Sequence, residues 1–232
     1  MVEQGVAKSR ARAQAMIMAG KVSVDGKTMI KSGTLVPFDA VVDVAEPPPF
    51  IGRGGLKLDS VLDRFALDVS GYAVADIGSS TGGFTDCLLK RGASHIYAVD
   101  VGYGQLDYRL RIDPRVTVME RVNARYSFSL PEKVDMATFD LSFISVEKVI
   151  PVVAGLLRDN GIMLVLLKPQ FEARKREVGK GGVVRQSEVH ARVIGRFIKW
   201  VACKGFRLKG LASSPILGAS GNREFFIMLS EG

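Results

Sequence analysis

The stretch "YAVADIGSSTGGFTDCLLK", residues 72–90, runs an apolar segment through Asp76-Ile77-Gly78 into a Gly/Ser-rich turn. Gly82-Gly83 then open a helix-patterned segment that ends at Gly92. A strand that passes through glycines into a helix is the opening unit of an open α/β sheet. Glycines at that turn let the backbone approach a ligand and leave the first helix N–H groups pointing at it. The turn is not a P-loop, because no Gly-Lys-Ser/Thr follows, and its spacing is not the dinucleotide G-x-G-x-x-G.

The same alternation continues outward. "HIYAVDVG" (95–102), "RVTVMER" (115–121), "VDMATFDLSF" (134–143) and "IMLVLLKP" (162–169) read as strands. "VEKVIPVVAGLLRDNG" (146–161) and "SEVHARVIGRFIKWVACKG" (187–205) read as helices, and "FRLKGLASSPI" and "NREFFIMLS" as two last strands. Near-continuous apolar strands between helices predict a doubly wound, mostly parallel α/β sheet of the Rossmann-like kind over residues 56–232. Ahead of it, "KSRARAQAMIMAG" reads as a basic helix, and "KVSVDGKTM" as a hairpin around Asp25-Gly26. "AVVDVAE" adds a third strand, so residues 1–46 form a small α+β unit. "PPPFIGRGG" predicts a linker over 47–55, stiff at its prolines and flexible at its glycines.

Composition limits the partners. The 232 residues are 47% hydrophobic and 24% charged, ordinary globular proportions that allow a full core. Cys87 and Cys203 stand apart in apolar surroundings, which fits a reducing cytoplasm and excludes a disulfide scaffold. No apolar run reaches the length of a membrane span and the start has no signal-like core. The net charge is +8, and residues 168–209 carry twelve Lys/Arg against three Glu. That surplus suits a polyanion partner; a solvated basic helix is the other reading.

Asp100 ends "YAVD", 24 residues after Asp76. An acid there can accept from both hydroxyls of a ribose. With Asp76 and the turn Gly78, Ser79, Ser80, Thr81, Gly82, Gly83 and Phe84 as further cofactor contacts, it suits an adenosine cofactor without pyrophosphate, which is S-adenosylmethionine. A tight turn beside a solvated Asp is the plain alternative. Asn123, in "VNAR", is either an adenine-edge partner or an ordinary loop residue. In such a sheet Asp140 and Lys168, ending the fourth and fifth strands, converge on the ligand. Lys57 and Glu224, taken singly, read as surface residues at strand edges. No metal site is expected.

Two resemblances sharpen these expectations. "VEQGVAKSRARAQAMIMAGKVSVDGK" is similar to the RNA-binding module of ribosomal protein S-four and many pseudouridine synthases. That implies RNA contacts from Lys8, Arg10, Arg12 and Lys21. Such modules usually open with an Arg-Leu-Asp-containing helix, and Met1 falls where that helix is half complete, which leaves a complete module and a truncated, poorly ordered one both open. "DIGSSTGGFTDCLL", "AVDVG", "FDLSFIS", "LLKPQFE", "EVGKGGVVR" and "NREFF" together resemble the TlyA-type ribosomal RNA methyltransferases, also called haemolysins. These belong to the wider FtsJ-like class of ribose 2′-O-methyltransferases. The resemblance implies a Lys57, Asp140, Lys168, Glu224 tetrad, S-adenosylmethionine as donor, and a cytidine ribose in ribosomal RNA or ribosomal subunits as acceptor.

A ribose hydroxyl must lose its proton as it attacks a methyl group. A neutral lysine accepts that proton and a charged one stabilises the alkoxide. The loop "EARKREVGKGGVVRQSE" follows Lys168, and its Arg174, Lys175, Arg176, Lys180 and Arg185 either face an RNA backbone or form a disordered basic surface. Three rivals remain. "DLSF" also resembles the loop with which amine methyltransferases grip a flipped base, though its prolines are absent. A membrane-acting haemolysin would need an export signal, a barrel hairpin or a long apolar helix. A non-catalytic RNA-binding protein would have no use for the full tetrad.

Overall fold

The computed structural model describes residues 1–45 and 48–232. Residues 46 and 47, the expected end of the first module and start of the linker, lie outside the described residues. The chain divides into two units, Met1–Pro48 and Pro49–Gly232.

In the first unit, helix α1 (Arg10–Met18) is capped by Ser9, whose hydroxyl accepts from Arg12 N. Strands β1 (Val22–Val24) and β2 (Lys27–Met29) form a hairpin, and β3 (Val42–Val44) pairs antiparallel on the other side of β1. Asp25 and Gly26 both have positive φ, as a two-residue turn matching the strand twist requires.

The second unit is built from α2 (Gly52–Arg64), β4 (Ala73–Ile77), α3 (Gly83–Lys90), β5 (His95–Val99), α4 (Tyr108–Arg111), β6 (Val116–Met119) and β7 (Val134–Phe139). It continues through α5 (Ile150–Ala154), β8 (Leu157–Leu167), α6 (Pro169–Glu172), α7 (Ser187–Cys203), β9 (Phe206–Ser213) and β10 (Phe225–Glu231). The seven strands lie in the order β6-β5-β4-β7-β8-β10-β9. All neighbours run parallel except β10, which is antiparallel to both β8 and β9. Strand alternation sends Ala75 and Ile77 into one core with Ile150, Val193 and Phe197. Val74 enters the other core with Leu58, Leu62 and Leu88. The helices therefore cover both faces. Strand order reverses between β4 and β7, and that switch point opens the cleft described below.

Two segments differ from the sequence expectation. Gly52–Gly55 do not form a flexible linker; they are the first turn of α2. Their lack of side chains serves close packing: a Cβ at Gly83 would lie 3.1 Å from Gly55 N and 3.2 Å from Gly54 Cα. Asp86 in α3 also accepts from Ile51 N at 2.8 Å, fixing where α2 begins. The expected helix over 146–161 is a 3-10 turn (Val146–Lys148) and short α5, after which Leu157 already belongs to β8. Arg158 pairs with Asp135 at 2.6 Å and Glu132 at 2.8 Å, and Asn160 adopts a left-handed conformation. The ladder absorbs the irregularity as a register shift between Val134 and Met136.

Candidate active site

The carboxyl ends of β4, β5 and β7 surround a cleft of about 410 Å³ lined by Gly78, Ser80, Asp100, Gln105, Asn123, Arg125, Asp140 and Phe143, among others. Gly78 has φ +87°, and a Cβ there would lie 2.7 Å from the Asp140 carbonyl oxygen. Only glycine lets β4 turn so close to the strand that carries Asp140. Asp100 Oδ2 accepts from Ser80 N at 2.8 Å and Oδ1 from Gly102 N at 2.7 Å. Each carboxylate oxygen has a further acceptor site, so the pair suits two ribose hydroxyls. Asn123 lines the same cleft, with its Oδ1 accepting from Arg125 N at 3.1 Å.

A smaller hollow of about 110 Å³ lies between the start of α2 and the glycine turn. It is lined by Gly52, Arg53, Gly54, Gly78, Ser79, Ser80, Thr81, Gly83, Phe84 and Asp140. Gly82 supplies the left-handed residue before α3. Phe84 is buried and stacks on Phe226 at 6.1 Å, so most of its ring serves the core.

Asp76 corrects the sequence reading. It is wholly buried, with Oδ2 accepting from Thr85 Oγ1 at 2.6 Å and Oδ1 from Thr138 Oγ1 at 2.9 Å. Both oxygens face protein, not the cleft. Burial pushes its carboxyl up to about 6 against the lowering by the two threonines, and the charge of Asp140 adds to the rise. Its parity with Val74 was the available signal, since both point to the α2–α3 side.

The four candidate catalytic residues form two ion pairs. Phe139 of β7 pairs with Val165 of β8, and Leu167 of β8 with Phe225 of β10. One step beyond these ladders come Asp140, Lys168 and Glu224, at the same end of adjacent strands. Lys168 Nζ lies 2.7 Å from Asp140 Oδ1 and donates to Ser142 Oγ at 3.1 Å. Asp140 Oδ1 is shielded from water and has no aligned hydrogen bond, so the pair is held by charge while Ser142 sets the direction of the ammonium. The Lys168 side chain is 11% exposed. Lys57, reaching from α2, pairs with Glu224 at 2.6 Å, and both are buried. That overturns the surface reading of these two residues. Ser142 and the exposed rim residue Phe143, whose ring lies 5.1 Å from Phe171, were missed in the sequence.

The basic candidates are surface groups. Lys8, Arg10, Arg12 and Lys21 in the first unit are exposed and make no ion pair among the described residues. Arg174, Lys175, Arg176, Lys180 and Arg185 are exposed too, on a segment that is not wholly irregular. Lys175–Glu177 form a 3-10 turn, and Asn222 holds the segment through Val184 N and Gly182 O at 2.9 Å each.

The family model for FtsJ-like methyltransferase matches residues 50–231, and that for the S4 domain matches residues 1–42. The chain belongs to the FtsJ-like methyltransferase family. Its N-terminal unit is an S4 domain. This FtsJ-like chain is 42% identical over 233 residues to the 16S/23S rRNA (cytidine-2'-O)-methyltransferase TlyA of Mycobacterium tuberculosis, covering 99% of this chain and 87% of that one. It is 36% identical over 228 residues to Hemolysin A of Brachyspira hyodysenteriae, covering 96% and 94%. The solved structure of a haemolysin-named protein from Streptococcus thermophilus superposes with a TM-score of 0.78 at 39% identity, over 99% of this chain and 85% of that one. Among the described residues no helix is long and apolar enough to cross a membrane.

Proposed function

We propose that this protein transfers a methyl group from S-adenosylmethionine to the 2′-hydroxyl of a cytidine ribose in ribosomal RNA, in the cytoplasm. The observation that carries the reading is the Asp140–Lys168 pair at the mouth of the cleft that also presents Asp100. The cofactor fits the residues present: Asp100 keeps free acceptor sites, and Gly78 leaves room where a side chain would collide. Asp100 would hold the ribose hydroxyls, with Asn123 beside the base and the Gly78–Gly83 turn against the remainder. S-adenosylmethionine, when bound, supplies an activated methyl group.

The chain's own groups manage the acceptor. Lys168 Nζ, aimed by Asp140 and Ser142, meets the 2′-oxygen and takes its proton when neutral or holds the alkoxide when charged. Transfer that quickens with rising pH marks the first role, and transfer that slows marks the second. Lys57 contributes a second cation whose position Glu224 fixes. Holding the hydroxyl in line supplies much of the acceleration. The S4 domain, with Lys8, Arg10, Arg12 and Lys21, adds grip on RNA, and the 174–185 segment contacts the backbone entering over the site.

The relative from Mycobacterium tuberculosis bears a name with this activity, which supports the acceptor. The test is transfer of labelled methyl groups to purified ribosomal subunits lacking the modification, then digestion to nucleosides. A 2′-O-methylcytidine is expected. A methyl group on an exocyclic base amine overturns the reading.

A further inference from the structure

We propose that Glu172 is a positioning residue for the Asp140–Lys168 pair, its carboxylate tying the loop that leaves Asp140 to the helix that follows Lys168. The catalytic meaning rests on the function proposed above; the geometric claim does not.

Lys168 and Glu172 are joined through a single turn. Phe171 N donates to Lys168 O at 2.9 Å, Ala173 N donates to Pro169 O at 2.8 Å, and the proline ring fixes φ between them. On the other side, residues 140–145 leave β7 as an irregular segment. Its first residue is anchored by Asp140 N donating to Ile77 O at 3.0 Å. Phe143, 91% exposed, adopts a left-handed φ of 64°, a conformation that costs a bulky residue energy unless its surroundings impose it. Glu172 supplies the restraint at the far end. Its Oε2 accepts from Ser145 Oγ at 2.7 Å and its Oε1 from Val146 N at 2.9 Å.

The residue is 5% exposed. Arg196 of α7 donates to the Glu172 carbonyl at 2.8 Å, lies 3.5 Å from Oε2, and reaches Glu147 at 3.8 Å. Three elements therefore meet on one carboxylate. Burial holds that carboxyl above its ordinary range despite the Ser145, Val146 and Arg196 contacts, and Glu147 adds to the rise. A buried acid offers stability little that a fitted neutral side chain would not, whereas two acceptors on one plane fix where a loop sits. With the loop fixed, Ser142 and Asp140 are both presented to Lys168.

The experiment measures the labelling rate of each lysine by an amine-reactive ester, read by mass spectrometry, in wild type, Glu172→Gln and Ser145→Ala. Glu172→Gln should label Lys168 about threefold faster or more, with Lys90 and Lys199 unchanged, as local opening requires. Single-turnover methyl transfer should fall about tenfold or more, while affinity for S-adenosylmethionine stays the same. Unchanged Lys168 labelling overturns the proposal, as does labelling that rises at all three lysines together. If Glu172→Gln does not fold, Ser145→Ala, which removes one contact alone, decides on the same readout. Should wild type transfer no methyl group to RNA, the functional reading fails, yet selective labelling of Lys168 still upholds the geometric claim.

Discussion

Lys57 and Glu224 meet at 2.6 Å in the interior although 167 residues of chain separate them. Removing one partner leaves a lone buried charge, which costs about 3–5 kcal/mol. Lys57→Ala or Glu224→Ala should lose roughly that much in urea unfolding. Replacing both with Met and Leu should recover most of the stability but no methyl transfer. A double variant that is stable and fully active would reduce the pair to architecture.

Lys168→Ala should lower single-turnover transfer by about a hundredfold or more, because both proton acceptance and alkoxide stabilisation are lost. Calorimetric titration should find its affinity for S-adenosylmethionine unchanged. Equal losses of affinity and rate would place Lys168 in cofactor binding instead.

Asp100→Ala removes the acceptors proposed for two ribose hydroxyls and also releases Ser80 N and Gly102 N. Hydrogen bonds to a charged group contribute about 1.5–3 kcal/mol each, so the loss of two should lower cofactor affinity by about a hundredfold or more. Equilibrium dialysis with S-adenosylmethionine measures this directly, and near wild-type binding would refute it.

The buried acid Asp76 makes a pH signature. Its carboxyl moves from 3.8 to about 6 on folding, so in that window the folded chain holds a proton that the unfolded chain releases. Stability from this group is highest below the lower value and is lost as pH climbs through the upper one, by up to about 3 kcal/mol. Asp76→Asn should remove that slope. The check is the difference in unfolding free energy between wild type and variant across this range, which should change with pH.

Reversing charge at Lys175 and Arg176 should weaken RNA binding and flatten the slope of log affinity against log salt by about one to two. Cofactor affinity should not move. Filter binding at several salt concentrations tests both statements.

Much of this architecture is written locally. The Gly78–Gly83 turn, Asp100 at a strand end and the apolar strands each announce themselves within ten residues or so, because turns and strand periodicity are short-range effects. What escapes is decided by partners far along the chain. Lys57 looks like a surface lysine until α2 packs on the sheet and sets it against Glu224. Ser142 and Glu172 are ordinary polar residues until the ends of β7 and β8 are brought side by side. The lost helix turn at Leu157 reflects its pairing with Val134 on the neighbouring strand, a partner the local sequence does not name. Asp76 escaped for another reason: its motif suggests a ligand, while its parity within β4 points it at Thr85 and Thr138.

The insertion of β10 between β8 and β9 has a consequence in time. Synthesis delivers β9 before β10, yet β9 has no neighbour in the sheet until β10 arrives. Until residues 225–231 emerge, β8 presents a bare edge, and Lys57 has no carboxylate to meet. The Lys57–Glu224 pair therefore cannot form until Glu224 has been added, late in the order in which these strands are made.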